Sequence, residues 1–268
     1  MHKIPQPVAF AIGAHPDDIE FMMAGTLLLL KEKGWEIHYL NLANGCCGTA
    51  KNNRAKTIAQ RRREAQNACK IAGAHFHDSV ANDLELYHTT ATIARVVSVI
   101  RAVRPRILLL QSPQDYMEDH SNACRIAVTA AFARGMPVFP CRPKRPAIDA
   151  EVVLYHALPY GLRDQLRQRI RAGQYVNVAS VLPLKRKMLA AHASQKEWLD
   201  ASQGLNAYLE TMAALTREAG RLSGKFEYAE GWRRHSHLGF SAADSDPLSQ
   251  ALGELCFIDE EYEKNLEC

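Results

Sequence analysis

Residues Val8 to Gly25 read VAFAIGAHPDDIEFMMAG, and this stretch constrains the fold more than any other. Val8 to Gly13 is a short apolar run, as a strand buried on both faces of a parallel sheet requires. His15-Pro16-Asp17-Asp18 follows almost at once. A second apolar stretch, Phe21 to Leu30, then reads as a helix ending before Gly34. One imidazole and two carboxylates are thereby set at the carboxyl end of a strand, where open α/β sheets bind their ligands. An isolated His-x-x-Asp is equally compatible with a helix-capping aspartate beside a loop histidine.

The strand-then-helix pattern repeats. Glu36 to Asn41 reads as a second strand, Asn44 to Asn53 as a polar loop with Gly45 and Gly48, and Arg54 to Ala72 as a helix closed by Gly73. An irregular stretch from His75 to Leu86 leads to a helix at Thr89 to Val103. Arg106 to Gln111 (RILLLQ) is again a short buried strand. Such alternation predicts βαβ units and a mainly parallel sheet with helices on both faces, a Rossmann-like three-layer α/β sandwich. No GxGxxG or GxxxxGK[ST] follows a strand, which disfavours nucleotide binding.

Gln114 to His120 (QDYMEDH) is a second chemical centre, again at a strand's end and again leading into a helix, Ser121 to Arg134. The proline-rich Pro137 to Pro146 must be extended. Beyond it are a strand at Glu151 to Ala157, a short extended piece at Tyr175 to Val178, and helices at Leu184 to Ala193 and Lys196 to Leu222. The last ~45 residues, rich in Asp and Glu, read as a peripheral extension of a single domain spanning 1–268.

At 47% hydrophobic and 23% charged, a chain of 268 residues can bury the core of one such domain. A net charge of +4 suits an anionic small substrate slightly better than a neutral one and falls short of a nucleic-acid footprint. No apolar run reaches the ~18 residues of a membrane span, and Met1 to Pro7 is too short and polar for a signal peptide. Seven cysteines without a CxxC pair fit reduced thiols, so a cytoplasmic location is expected. Self-association into a homo-oligomer stays open.

Together, strand-Ala14-His15-Pro16-Asp17-Asp18, Gly25-Thr26-Leu27, Asn44-Gly45 with Gly48-Thr49, Arg61-x-x-Glu64, Asp119-His120, and Lys187 with His192-Ala193-Ser194-Gln195 resemble the PIG-L/LmbE-like family. Their order carries the resemblance, since none is specific alone. Those proteins are mostly zinc-dependent N-deacetylases acting on N-acetylglucosamine conjugates. The resemblance implies His15, Asp18 and His120 as ligands of Zn²⁺, or of another divalent ion such as Fe²⁺. It implies Asp17 as general base and Asp119 as the residue that orients a ligand. Arg61 would contact substrate, although an Arg61–Glu64 surface salt bridge explains the same spacing.

The family's usual His-Pro-Asp-His is here Met117-Glu118-Asp119-His120, and a thioether cannot replace the imidazole that stabilises a developing oxyanion. Tyr116 is the nearest substitute, with His192 and His156 further off. Asp83, Met117 and His192 are expected on the substrate side, although His192 also reads as a packing histidine. His235 and His237 read as a solvated face, and Cys46-Cys47 as small packing in the site wall. The implied substrate is a small N-acetylated sugar conjugate. An amidase acting on a larger conjugate, or a carbohydrate binder without turnover, stays open.

Overall fold

A computed structural model describes residues 6–49, 51–196 and 208–266. Its centre is one eight-stranded sheet with the order β3-β2-β1-β4-β5-β7-β6-β8. The strands are β1 (Val8–Gly13), β2 (Glu36–Asn41), β3 (His75–His77), β4 (Ile107–Leu110), β5 (Val153–Ala157), β6 (Gln174–Asn177), β7 (Ala229–Arg234) and β8 (Cys256–Ile258). The first five run parallel, and β7, β6 and β8 complete the sheet in antiparallel fashion. β1 and β4 are apolar along their whole length because both of their faces are covered.

The covering helices form two layers. On one face, Ala9, Ala11, Ile37, Tyr39, Ile107 and Leu109 pack with α2 (Ala24–Glu32) and α3 (Arg54–Ala72). On the other, Phe10, Ile12, Leu40, Leu108 and Leu110 pack with α4 (Thr90–Val103) and α5 (Glu118–Ala133). No helix among the described residues is long and apolar enough to cross a membrane.

The structure corrects several local expectations. The apolar stretch after the HPDD loop is two helices, α1 (Asp18–Met22) and α2, separated at Met23. His75 to His77 is the short edge strand β3, inside a stretch expected to be irregular. Helix α5 starts at Glu118, so His120 sits in its first turn and not before it. Helix α6 spans Leu182–Ala190, and α7 spans Tyr208–Ser223. The expected helix at Lys196 to Leu222 falls partly outside the described residues.

The largest correction concerns the last 45 residues, which are not peripheral. β7 lies between β5 and β6, and its Trp232 is fully buried. Its polar sequence, AEGWRR, is tolerated there because Glu230 has an internal task. Glu230 accepts the N–H groups of Gly25 (2.8 Å) and Thr26 (2.7 Å), capping an α2 that has no side-chain cap of its own. The buried Lys185 ammonium donates to Glu230 at 2.7 Å. Gly25 must be glycine, since a Cβ there would lie 2.6 Å from Val178. Lys185→Met would leave the Glu230 charge buried without its cation. We expect a loss of about 3 kcal/mol, at the low end for breaking a buried pair, measurable by urea unfolding.

Candidate metal centre and active site

β1 sends its chain to β2 on one side, whereas β4 lies on the other. The carboxyl ends of β1 and β4 therefore flank the point where the strand order reverses, and a crevice opens there. The loop after β1 delivers His15, Asp17 and Asp18; the loop after β4 delivers Asp115, Tyr116 and Met117, with Asp119 and His120 in the following helical turn.

His15, Asp18 and His120 converge, their ligand atoms all lying within 4.8 Å of one another. His120 Nδ1 lies 2.9 Å from Asp115 Oδ1, and its Nε2 lies 3.4 Å from Asp18 Oδ1. His15 Nε2 lies 2.9 Å from Asp119 Oδ2, and its Nδ1 lies 3.5 Å from Asp18 Oδ2. Each imidazole thus has an outer carboxylate on one nitrogen and turns the other toward Asp18. Outer carboxylates of this kind fix the tautomer and orientation of metal-binding histidines.

The donor set fits a divalent ion. Bonds of about 2.0–2.2 Å in tetrahedral geometry require donors roughly 3.4 Å apart. The separations, 3.4 Å from His120 to Asp18 Oδ1 and 3.5 Å from His15 to Asp18 Oδ2, lie close to that edge, with one oxygen of the carboxylate facing each imidazole. Burial alone would raise the Asp18 pKa, but His120 and then His15 overcome it and hold the carboxyl well below the ordinary range. Burial by itself would lower the His15 pKa. Asp119 and Asp18 reverse this and raise it to about 9, so the centre is electrostatically built for positive charge.

Asp17 is buried beside the cluster and carries a φ of 116°. That is an uncommon conformation for a residue with a Cβ, at a typical cost of about 1–3 kcal/mol. Two contacts hold it. Tyr208, from α7, donates its hydroxyl to Asp17 Oδ2 at 2.5 Å, and Arg61 Nη2 lies 3.8 Å from the same oxygen. Burial raises the Asp17 pKa above its ordinary value, against the opposing Arg61 charge.

Arg61 is 1% exposed and is no surface salt bridge, although Glu64 lies 3.7 Å from its Nη1. Its Nη2 donates to the carbonyl of Pro16, which secures the strained turn. Its Nε and Nη1 are buried without hydrogen-bond partners, and the residue lines the crevice. Glu64 accepts from the Ser194 hydroxyl (2.6 Å) and N–H (3.0 Å), bringing Gln195 to the wall. Asp83 also lines the crevice; its two oxygens accept the N–H groups of Gly45 (2.6 Å) and Cys47 (2.7 Å) and shape that loop.

The cavity encloses about 260 Å³, with Phe21, Leu84, Tyr116, Met117 and Tyr160 as its apolar walls. Tyr116 sets its ring edge against His120, 5.6 Å between centroids. Burial, then the Asp18 charge, raises its pKa, so its phenol remains a hydrogen-bond donor.

His192 does not reach this cavity, which corrects its placement among substrate contacts. It is 0% exposed, and its Nε2 lies 3.4 Å from the buried Glu20 carboxylate. His156 is also elsewhere: its Nε2 lies 2.9 Å from His235 Nδ1, and burial lowers its pKa to about 3. Neither histidine replaces the imidazole missing at Met117.

Three functional residues escaped the sequence reading. Asp115 had a usable signal, because a metal-binding histidine ordinarily needs an outer acceptor and this acid stands in the same loop. Tyr160 and Tyr208 had none, being 143 and 191 residues from Asp17 in the chain (160 − 17 and 208 − 17).

Residues 10–132 match the family described as PIG-L, GlcNAc-PI de-N-acetylase. Diacetylchitobiose deacetylase of Thermococcus kodakarensis is 28% identical over 228 residues, covering 83% of this chain and 80% of that protein. Among solved structures, the 4-carboxy-2-hydroxymuconate hydratase GalB from Pseudomonas putida superposes with a TM-score of 0.71 at 21% identity, covering 90% of this chain and 99% of that one. N,N'-diacetylchitobiose deacetylase from Pyrococcus horikoshii gives a TM-score of 0.70 at 19% identity, covering 91% and 89%. With the HPDD turn, the paired imidazoles and this sheet in place, residues 10–132 match the PIG-L family model, and the chain is similar to a diacetylchitobiose deacetylase over most of its length.

Proposed function

We propose that the chain is a zinc-dependent hydrolase that removes the N-acetyl group from an amino sugar or its conjugate. One observation carries the reading. A strained, buried Asp17 stands directly beside a three-donor cluster whose imidazoles are oriented by their own carboxylates. His15, Asp18 and His120 would hold the ion, which when bound polarises the acyl carbonyl and acidifies a water.

Asp17, with its raised pKa, takes the water proton and returns it to the leaving amine nitrogen. Arg61, a buried cation lining the cavity, binds a substrate oxygen. The apolar walls receive the acyl methyl, and the small volume admits one sugar ring with its aglycone outside. Tyr116 supplies the oxyanion donor that Met117 cannot. Tyr116→Phe should lower kcat by about 10²-fold with little change in KM, the low end for one such donor. The free thiols of Cys46, Cys69 and Cys124 suit a reducing compartment such as the cytoplasm.

The test is acetate release from N-acetylglucosamine, diacetylchitobiose and N-acetylglucosaminyl conjugates. Turnover should vanish after chelation and return with Zn²⁺. A fully zinc-loaded protein that releases acetate from none of them overturns the reading.

A further inference from the structure

We propose a second transition-metal site, formed by Glu36, His38 and His75 where β2 and β3 pair at the edge of the sheet. Glu36 and His38 are two apart on β2, so they share a face, and His75 is paired with His38 across the ladder. The edge strand reads His75-Phe76-His77, and His77 therefore lies on that same face. Four side chains capable of ligation are gathered there by strand register alone.

The geometry is that of a chelate. Glu36 Oε1 lies 2.8 Å from His38 Nε2 and 3.5 Å from His75 Nε2, and the three donor atoms lie within 4.8 Å of one another. The second separation matches the roughly 3.4 Å edge of a tetrahedral site, and a small opening of the first completes it. His38 Nδ1 lies 2.8 Å from His77 Nε2, so His38 can turn Nε2 toward an ion while its other nitrogen is held. The His38 and His77 rings stack at 5.1 Å over the edge of Phe10, which gives the cluster an apolar floor.

His75 and Glu36 face solvent, with side chains 64% and 39% exposed, so an ion has an entry path and room for water as a fourth ligand. Two imidazoles and one carboxylate select a borderline ion, Zn²⁺ or Cu²⁺, over Mg²⁺ or Ca²⁺. This site is separate from the catalytic centre. Glu36 opens β2 at its amino end, whereas His15 follows the carboxyl end of neighbouring β1, roughly 16 Å away along a strand of this length. A bound ion would tie the three-residue edge strand β3 to β2.

The experiment counts bound zinc per chain after chelator stripping, reloading with excess Zn²⁺ and desalting. Wild type should hold two ions, His75→Ala one, Glu36→Gln one, and Asp18→Asn one. His75→Ala should keep full acetate release, since His75 is remote from the cavity. Equal zinc in wild type and His75→Ala overturns the second site, including the case in which both hold one ion that Asp18→Asn abolishes. If wild type and Asp18→Asn both hold one ion and His75→Ala holds none, the edge site stands and the catalytic metal reading fails.

Discussion

Asp17→Asn should retain stoichiometric zinc and lose roughly 10²–10⁴-fold in kcat, the range that a positioned general base contributes. The expectation follows from the division of labour within two adjacent residues. Asp18 is turned toward both inner imidazole nitrogens, whereas Asp17 is turned toward Tyr208 and Arg61. An asparagine can still accept from Tyr208 through its amide oxygen, so the turn should persist while proton transfer is lost. Metal content by mass spectrometry and kcat measured on the same preparation check it. Loss of the ion in this variant would make Asp17 a ligand and exchange the roles of the two aspartates.

His120→Ala should have the larger effect on metal. It removes a donor outright, where loss of an outer partner typically costs 10–100-fold in metal affinity. We expect more than about 100-fold weaker zinc binding and turnover at background. Asp115→Asn should fall in between, since it leaves His120 in place and loosens only its Nδ1 contact. Competition with a chelator of known affinity would rank the three proteins. Equal zinc affinity in His120→Ala and wild type would remove His120 from the centre.

The parallel half of the sheet and the gathering of His15, Asp18 and His120 were legible because their determinants are local. A run such as VAFAIG or RILLLQ is apolar throughout only when both faces are covered, and the chemistry follows directly at each strand's end. Of the antiparallel half, only β6 was legible, as the extended piece at Tyr175 to Val178. AEGWRR in β7 has no alternation or apolar run that marks a strand, and Glu230 is tolerable there only through Lys185, Gly25 and Thr26, contributed from elsewhere in the chain. His192 shows the converse limit. Its sequence neighbourhood pointed to the site, and the packing of α6 carried the side chain behind it to Glu20. Tyr208, at the start of α7, reaches Asp17 from far along the chain, which no local pattern records.

The most direct measurement is hydrolysis of an N-acetylated amino sugar by the zinc-loaded protein in H₂¹⁸O, with the products read by mass spectrometry. Water activated beside Asp17 should attack the acyl carbon, so the released acetate should carry one ¹⁸O atom and the sugar amine none. Asp17→Asn should form this labelled acetate more slowly, in proportion to its kcat, with the same one ¹⁸O per molecule released. Acetate without label, or no acetate from the zinc-loaded wild type with any N-acetyl sugar, would contradict the account.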